Sequence, residues 1–198
     1  MSKQSRIRYQ RFKEVIEQTG KTYLTLSDIK KFYTHQKESL RVLLSQWKKQ
    51  GLIFQLSRGM YTFNLASVDY LQLATTLYPN SYISFEYALQ LHGVIHEVPA
   101  VITVATSSRS RRLRAEPYML EYTHLKKELI FGYELRNKAY IATPEKALAD
   151  ILYVMARGQR ITELDSIDWR NIDKKKLKKI IQQYPPYVLQ YARKLWTI

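Results

Sequence analysis

The sequence contains no cysteine, which excludes disulfide bonds and thiolate metal sites. It also lacks long apolar runs: the longest, such as residues 98–105, reach about eight residues, whereas a membrane helix needs about 20. The first eleven residues are basic and polar, without the apolar segment typical of a signal peptide. From these absences we expect a cytoplasmic protein that does not insert into a membrane.

Acidic residues are scarce. The 198 residues include 17 Asp and Glu against 32 Lys and Arg, which gives a formal net charge of +15. The hydrophobic content of 45% and the charged content of 25% are those of ordinary globular proteins. An excess of positive charge repels itself and favours a polyanionic partner. Nucleic acid is the first candidate for that partner, and an anionic membrane surface is the second.

The positive charge is concentrated towards the N-terminus. Residues 1–63 contain thirteen Lys or Arg and four Asp or Glu, whereas residues 64–106 contain three acids and no Lys or Arg. No Gly/Ser-rich or Pro-rich linker marks this change. We therefore predict an α+β protein with two domains, residues 1–65 and residues 66–198.

The first domain has the pattern of three helices followed by a β-hairpin. Apolar residues at helical spacing predict a first helix, a second that starts at Thr25 or Ser27, and a third over residues 36–50. Two segments of alternating apolar residues then flank Arg58 and Gly59, and glycine suits a hairpin tip because it adopts positive φ readily. This order predicts an N-terminal winged helix-turn-helix, whose third helix enters the major groove of DNA. The alternating residues are Leu52, Phe54 and Leu56 in one strand and Tyr61, Phe63 and Leu65 in the other.

Polar and basic residues of the third helix and of the hairpin tip are the predicted DNA-binding residues. Those near the start of the helix can reach base edges, because Arg pairs bidentately with guanine and Gln with adenine. Those near its end and at the tip suit phosphates, which position a protein without carrying sequence information. The alternative interpretation is a solvated helix face. The predicted base-reading residues are Gln36, Lys37, Ser39 and Arg41; Ser45 lies on one polar stripe with Lys37, Arg41 and Lys48; Lys48, Lys49 and Arg58 are the predicted phosphate contacts.

Residues 66–198 combine helix and strand patterns. We predict helices that end before Pro79 and at Gly93, a buried strand over residues 101–105, and strands over residues 118–122 and 129–135. Three further helices are predicted to start at Thr143-Pro144, at Asp173 and after Pro185-Pro186. This half of the chain is therefore expected to be a mixed α/β domain.

Four closely spaced arginines in this second domain predict a second basic surface. Like charges repel, so we expect an anion close to them, which DNA, RNA or a protein could supply. A solvated loop is the alternative. The four residues are Arg109, Arg111, Arg112 and Arg114.

Several segments, taken in order, resemble the AbiEi antitoxin family. Residues 56–61 (LSRGMY) resemble the wing of its DNA-binding domain, and residues 84–94, 101–104 and 141–150 resemble its second domain. The resemblance covers about residues 20–195. The resemblance implies that the chain is the antitoxin of a type IV toxin–antitoxin system, which limits the spread of phage by abortive infection. It also implies that the winged helix binds inverted repeats in double-stranded DNA of the system's own promoter and acts as a repressor, while the second domain counters a co-encoded nucleotidyltransferase-like toxin and contributes to DNA binding.

Motifs for catalysis, metals and cofactors are missing. The sequence has no G-x-S-x-G motif and no P-loop, and its carboxylates lack the local spacing of a metal-dependent nuclease. His92 and His96 have helical spacing, but Gly93 interrupts the helix between them. We therefore predict no catalytic residue, no metal, no cofactor and no enzyme activity. Two alternatives stay open: a stand-alone winged-helix regulator without a toxin, and a nucleic-acid-processing enzyme that holds its substrate with the arginines of residues 109–114.

Overall fold

The computed structural model describes residues 3–33, 40–159 and 167–195, and of residues 3–7 the backbone alone. Within these ranges the chain is a mixed α+β protein with eight α-helices and two β-sheets. It divides into two compact units, residues 1–69 with 114–117 and residues 70–113 with 118–198. We call these the N-terminal unit and the C-terminal unit. The first change of unit comes after Asp69, whereas the charge pattern predicts the domain boundary after residue 65.

The N-terminal unit contains three helices and a small antiparallel sheet. Its central strand pairs with both of the others. The predicted helices and hairpin are present in the predicted order, but residues 34–39, which include the expected start of the third helix, lie outside the described residues. The elements are α1 (Lys3–Gln18), β1 (Leu24–Thr25), α2 (Leu26–Tyr33), α3 (Leu40–Lys49), β2 (Phe54–Ser57) and β3 (Met60–Thr62), with β3 in the centre of the sheet.

A reciprocal pair of hydrogen bonds starts helix α2. The Thr25 hydroxyl accepts from the Asp28 backbone N–H at 3.2 Å, and the Asp28 carboxylate accepts from the Thr25 backbone N–H at 2.9 Å. The two side chains thereby satisfy amide groups that the first turn of a helix leaves without a partner. Of the two predicted N-cap residues, Thr25 is therefore the one confirmed. Lys21 adds an ion pair with Asp28 at 2.8 Å.

Aromatic side chains fill the core of the N-terminal unit around Trp47, which is 1% exposed. The rings of Tyr9 and Tyr33 meet it edge-on with centroids 5.2 Å away, and Phe12 stacks on it at 5.8 Å. Such ring pairs stabilise beyond the area they bury. The other buried members of this core are Ile16, Leu24, Ile29, Leu43, Leu44, Ile53 and Tyr61.

The alternating apolar residues Leu52, Phe54 and Leu56 do not share one buried face. Phe54 is 40% exposed, and its neighbour Ile53 is buried instead. The cause is a β-bulge between Gln55 and Ser57, which leaves Leu56 without a partner residue on β3. The extra residue breaks the two-residue alternation, so the residues before the bulge face the opposite way from those after it.

The C-terminal unit is built on a six-stranded mixed sheet. Strand β5 pairs parallel with β7, and β4 pairs parallel with β9, whereas β4/β5 and β8/β9 are antiparallel. The spatial order is β6-β7-β5-β4-β9-β8. The elements are α4 (Tyr70–Thr76), β4 (Ser81–Ile83), α5 (Phe85–Leu91), β5 (Val101–Thr106), β6 (Arg111–Ala115), β7 (Tyr118–His124), β8 (Tyr133–Arg136), β9 (Ala139–Ala142), α6 (Pro144–Ala156), α7 (Lys174–Ile181) and α8 (Pro186–Leu195).

Most of the predicted elements of this unit are confirmed, with one clear exception. The predicted strand over residues 129–135 is wrong in its first half, where Lys127–Leu129 form a 3-10 turn and β8 begins only at Tyr133.

No helix in the described part of the chain has the length and the apolar character needed to cross a membrane.

Helix α6 is the centre of the C-terminal unit. Thr143 caps it by accepting from the Lys146 backbone N–H, and Pro144 occupies its first turn as predicted. Every residue from Glu145 to Val154 is buried. Three of these residues are charged. Glu145 pairs with Lys176 at 3.0 Å. Lys146 and Asp150 are fully buried and carry charges that must be compensated inside the core, because isolated buried charges are very costly.

A buried hydrogen-bond network provides this compensation. The Lys146 ammonium donates to Asp150 and to the Tyr184 hydroxyl, both at 2.5 Å. The second carboxylate oxygen of Asp150 accepts from Tyr82 at 3.0 Å and from Ser84 at 2.7 Å. Ser84 is at the N-cap position of α5 but makes no side-chain cap bond; its hydroxyl donates to Asp150 instead. We call these five residues the Lys146 network.

The surroundings of the Lys146 network shift its titration. Burial lowers the pKa of Lys146 against the opposing attraction of Asp150. Burial and the Asp150 charge raise the pKa values of Tyr82 and Tyr184 well above 10, so both phenols stay protonated and can donate. Gly132 lies against the lysine with φ of +70°, and a Cβ there would come within 3.1 Å of the Lys146 Cγ. Only glycine fits this position without strain.

Candidate nucleic-acid interface

Helix α3 and the hairpin tip of the N-terminal unit line one groove of about 530 Å³. Four of the predicted DNA-binding residues meet there: Arg41, Ser45 and Lys48 from α3, and Arg58 from the tip. The other lining residues are Leu26, Leu40, Leu44, Gln55, Gly59 and Tyr61. Among the described residues that line it there are three cations and no carboxylate. We call this feature the α3–hairpin groove.

The exposed face of α3 follows from its buried face. Leu43, Leu44 and Trp47 pack into the core, so the residues on the other side of the helix are left in solvent. Arg41, Ser45 and Lys48 are exposed and follow one another at steps of four and three residues, which places them on one face. The predicted polar stripe is therefore present in the described part of α3.

The position of Arg58 is fixed by contacts of the hairpin tip. The backbone N–H of Leu26, at the start of α2, donates to the Gly59 carbonyl at 3.1 Å. Gly59 has φ of +78°, and a Cβ there would lie 3.3 Å from Leu26 Cδ1. The tip is thus held against α2, and Arg58 extends from an anchored turn.

Gln55 is a groove residue that the sequence did not point to. Its side-chain oxygen accepts from the Lys48 ammonium at 2.8 Å, and its amide nitrogen donates to the Ser57 carbonyl at 3.3 Å. Gln55 thereby links helix α3 to strand β2 and orients Lys48. An exposed polar residue just before the predicted tip was the only available signal, because its contact with Lys48 depends on the fold.

The remaining predicted residues of this site are not brought into the groove. Lys49 is exposed but is not among the residues that line it. Gln36, Lys37 and Ser39 lie outside the described residues.

The chemistry of the α3–hairpin groove is that of an anion-binding surface. Arg41, Lys48 and Arg58 supply ionic hydrogen-bond donors, and Ser45 adds a hydroxyl. Burial raises the pKa of Tyr61 above its ordinary value of 10, so its phenol adds no negative charge near neutral pH. Donors of this kind bind phosphate oxygens and base edges.

The four arginines of the predicted second basic surface differ in their surroundings. Arg112 pairs with Glu121 at 2.7 Å, and Arg114 pairs with Glu116 at 2.6 Å. Internal carboxylates thus offset two of the four charges. Arg111 and Arg112 line a second groove, whereas Arg109 and Arg114 are not among its lining residues.

Histidines and acids of the described residues give no further candidate site. His92 forms a hydrogen bond with the Ala142 carbonyl at 2.8 Å through Nε2. Within residues 3–33, 40–159 and 167–195, no three His, Asp or Glu side chains come together in a way that suits a metal ion.

Comparisons with known proteins do not identify the chain. No protein-family model matches it, and no curated protein matches it.

Proposed function

We propose that the chain is a DNA-binding autorepressor whose N-terminal unit is a winged helix-turn-helix, and that it acts by binding rather than by catalysis. The observation that carries this proposal is the α3–hairpin groove, in which three cations from two separate elements meet without a carboxylate among the described lining residues. The order of three helices and a hairpin, with a short strand before α2 that joins the hairpin sheet, supports the winged-helix assignment.

In this proposal the two elements have different tasks. Helix α3 enters the major groove by its N-terminal half, where Arg41 reaches base edges. Lys48 and Lys49, near the end of the helix, and Arg58, on the hairpin tip, contact phosphates. The link from Gln55 to Lys48 sets the distance between the helix and the wing, and so suits a duplex backbone that both elements touch.

Binding to DNA from upstream of its own gene tests the repressor part. The full-length protein is titrated against that DNA and against random duplex over a salt series. We expect tight, site-selective binding and a steep salt slope, since each phosphate contact contributes about 0.9 to the slope. Arg41→Ala should reduce the preference for the specific site by about 1–3 kcal/mol. Equal weak binding to both duplexes, unchanged by Arg41→Ala, would refute the proposal.

The matched control is Arg136→Ala. Arg136 is an exposed arginine on strand β8 of the C-terminal unit, paired with Glu134 at 3.1 Å. Its removal lowers the net charge by the same amount as Arg41→Ala. If both substitutions weaken binding alike, only the total charge matters, and the groove loses its assigned role.

We further propose that the chain is the antitoxin of a type IV toxin–antitoxin pair. This part rests on the order of the motifs at residues 56–61, 84–94, 101–104 and 141–150, which resemble the AbiEi family. Growth is measured while a neighbouring nucleotidyltransferase-like gene is expressed with and without the chain. Rescue of growth supports the antitoxin function. Failure to rescue, or the lack of such a neighbouring gene, leaves a stand-alone regulator that binds its own promoter.

A further inference from the structure

A second groove, confined to the C-terminal unit, has a volume of about 570 Å³. Three arginines line it: Arg111 and Arg112 from strand β6, and Arg157 from the end of helix α6. Only the first two belong to the predicted arginine cluster. The other lining residues are Ser110, Glu121, Tyr122, Thr123, His124, Val154 and Gln159. We call it the Arg111–Arg157 groove.

Arg111 and Arg157 are each held by a tyrosine. The Arg111 guanidinium lies 4.2 Å from the centroid of the Tyr78 ring. The Arg157 guanidinium lies 5.2 Å from the Tyr153 ring, and its Nη1 donates to the Tyr153 hydroxyl at 3.0 Å. Aromatic contacts fix the position of a guanidinium without neutralising its charge. In the described part of the chain, the groove arginine that forms an ion pair with a carboxylate is Arg112, which pairs with Glu121.

The tyrosines are themselves anchored in the core. Tyr78 meets Tyr122 edge-on with ring centroids 4.7 Å apart, and the Tyr122 hydroxyl donates to the Ala74 carbonyl at 2.8 Å. Tyr122 is 1% exposed and Tyr153 is fully buried. Both arginines therefore contact rings that the core holds in place, which reduces the side-chain entropy lost when an anion binds.

We propose that the Arg111–Arg157 groove is a binding site for a phosphate ester of nucleotide size. Two guanidinium groups held on rings offer forked donors that match phosphate oxygens. A lone phosphate would fill a small part of the groove, whose volume is that of sites for larger ligands. The ester is supplied either by a free nucleotide or by one nucleotide unit of a nucleic-acid strand. This site is separate from the α3–hairpin groove and does not depend on the autorepressor proposal.

Calorimetric titration of the full chain at low salt tests the site with three probes: inorganic pyrophosphate, ATP and a short single-stranded RNA. We expect saturable binding of pyrophosphate, with Arg111→Gln and Arg157→Gln each weakening it by about tenfold. Tighter binding of ATP than of RNA identifies a free nucleotide as the ligand, and the reverse order identifies a strand.

Two control variants separate this site from general charge. Arg136→Gln, on strand β8, removes one positive charge outside both grooves and should change pyrophosphate affinity by less than about twofold. Arg157→Lys keeps the charge but loses the fork, so its affinity should lie between those of the wild type and Arg157→Gln. Equal weakening by all the variants, or no saturable binding of any probe, would overturn the proposal.

Discussion

Two lysines show how differently the two units use positive charge. Lys48 lies on the exposed face of α3 and donates to Gln55 in an open groove. Lys146 lies in the buried part of α6 and donates to Asp150 and Tyr184. The first is available to a partner, and water solvates it until one arrives. The second has no exposed surface, so its partners must all come from the chain.

The difference extends to the cores of the two units. The N-terminal unit packs rings around Trp47, and among its described residues no cation enters the core. The C-terminal unit places a charged pair and three hydroxyl groups in the middle of its core. A helical lysine is therefore a candidate binding residue only when its helix leaves that face in solvent. The predictions below test this contrast, from the largest expected effect to the smallest.

Removing Asp150 is expected to have the largest effect. Asp150→Ala leaves the Lys146 ammonium buried without a counter-charge and should destabilise the protein by about 3–5 kcal/mol. The free energy of unfolding is measured by denaturant titration followed by far-UV circular dichroism. Glu134→Ala, which breaks the exposed pair with Arg136, is the control and should cost less than about 1 kcal/mol.

The double variant Lys146→Met, Asp150→Leu keeps this prediction testable if Asp150→Ala fails to fold. It removes both charges, so it should be more stable than Asp150→Ala alone. A double variant less stable than Asp150→Ala, or an Asp150→Ala protein as stable as the Glu134→Ala control, would show that the charged pair is not the feature that matters.

Gly132→Ala is expected to have the next largest effect. Alanine at φ of +70° is strained, and its Cβ would come within 3.1 Å of the Lys146 side chain. We expect a loss of about 2–3 kcal/mol, again by denaturant titration. Gly158→Ala is the matched control, because Gly158 has φ of +65° and a Cβ there would have nothing within 4 Å. If both variants lose the same stability, strain alone explains the loss and close packing on Lys146 contributes nothing.

Local rules were enough for the elements that begin with a cap. Thr143-Pro144 and Asp173 start α6 and α7 as predicted, because a capping side chain and the amides it satisfies lie within three residues of each other. The hairpin tip was also predicted correctly. The bulge that exposes Phe54 was not predicted, because nothing in the sequence of residues 52–57 indicates an extra residue.

Contacts that depend on the fold could not be predicted from the sequence. Tyr82 and Asp150 are 68 residues apart, so no local pattern joins them. A lysine and an aspartate four residues apart in an apolar helix were the only available signal for the Lys146 network. Arg157 was missed because it lies far from Arg111 in the sequence and joins it only in the folded unit.

The cap of α2 should contribute less than the buried network. Thr25→Ala removes the hydroxyl that accepts from Asp28 and should cost about 1 kcal/mol by denaturant titration. Thr25→Ser keeps the hydroxyl and should restore most of that stability. Equal stability of the alanine and serine variants would show that the hydroxyl does not cap the helix.

The Asp28 side of the same cap predicts a pH dependence. Burial opposes ionisation of Asp28, but hydrogen bonds from Lys21 and Thr25 outweigh it and lower the pKa. A lowered folded pKa gives stability that is present above the unfolded pKa, about 3.9, and is lost as the pH falls through the folded value. The stability difference between the wild type and Asp28→Asn should therefore shrink from pH 7 to acidic pH. A constant difference would contradict this assignment.

Lys48→Ala should have the smallest effect on stability and a clear effect on binding. Its loss leaves no buried group without a partner, so the free energy of unfolding should change by less than about 0.5 kcal/mol. Affinity for specific and random DNA should fall alike, and the salt slope should decrease by about one. Gln55→Glu, which places a carboxylate beside Lys48, should weaken DNA binding too while the fold stays intact. A loss of stability like that of Asp150→Ala would show that Lys48 stabilises the fold. The contrast with Lys146 would then not hold.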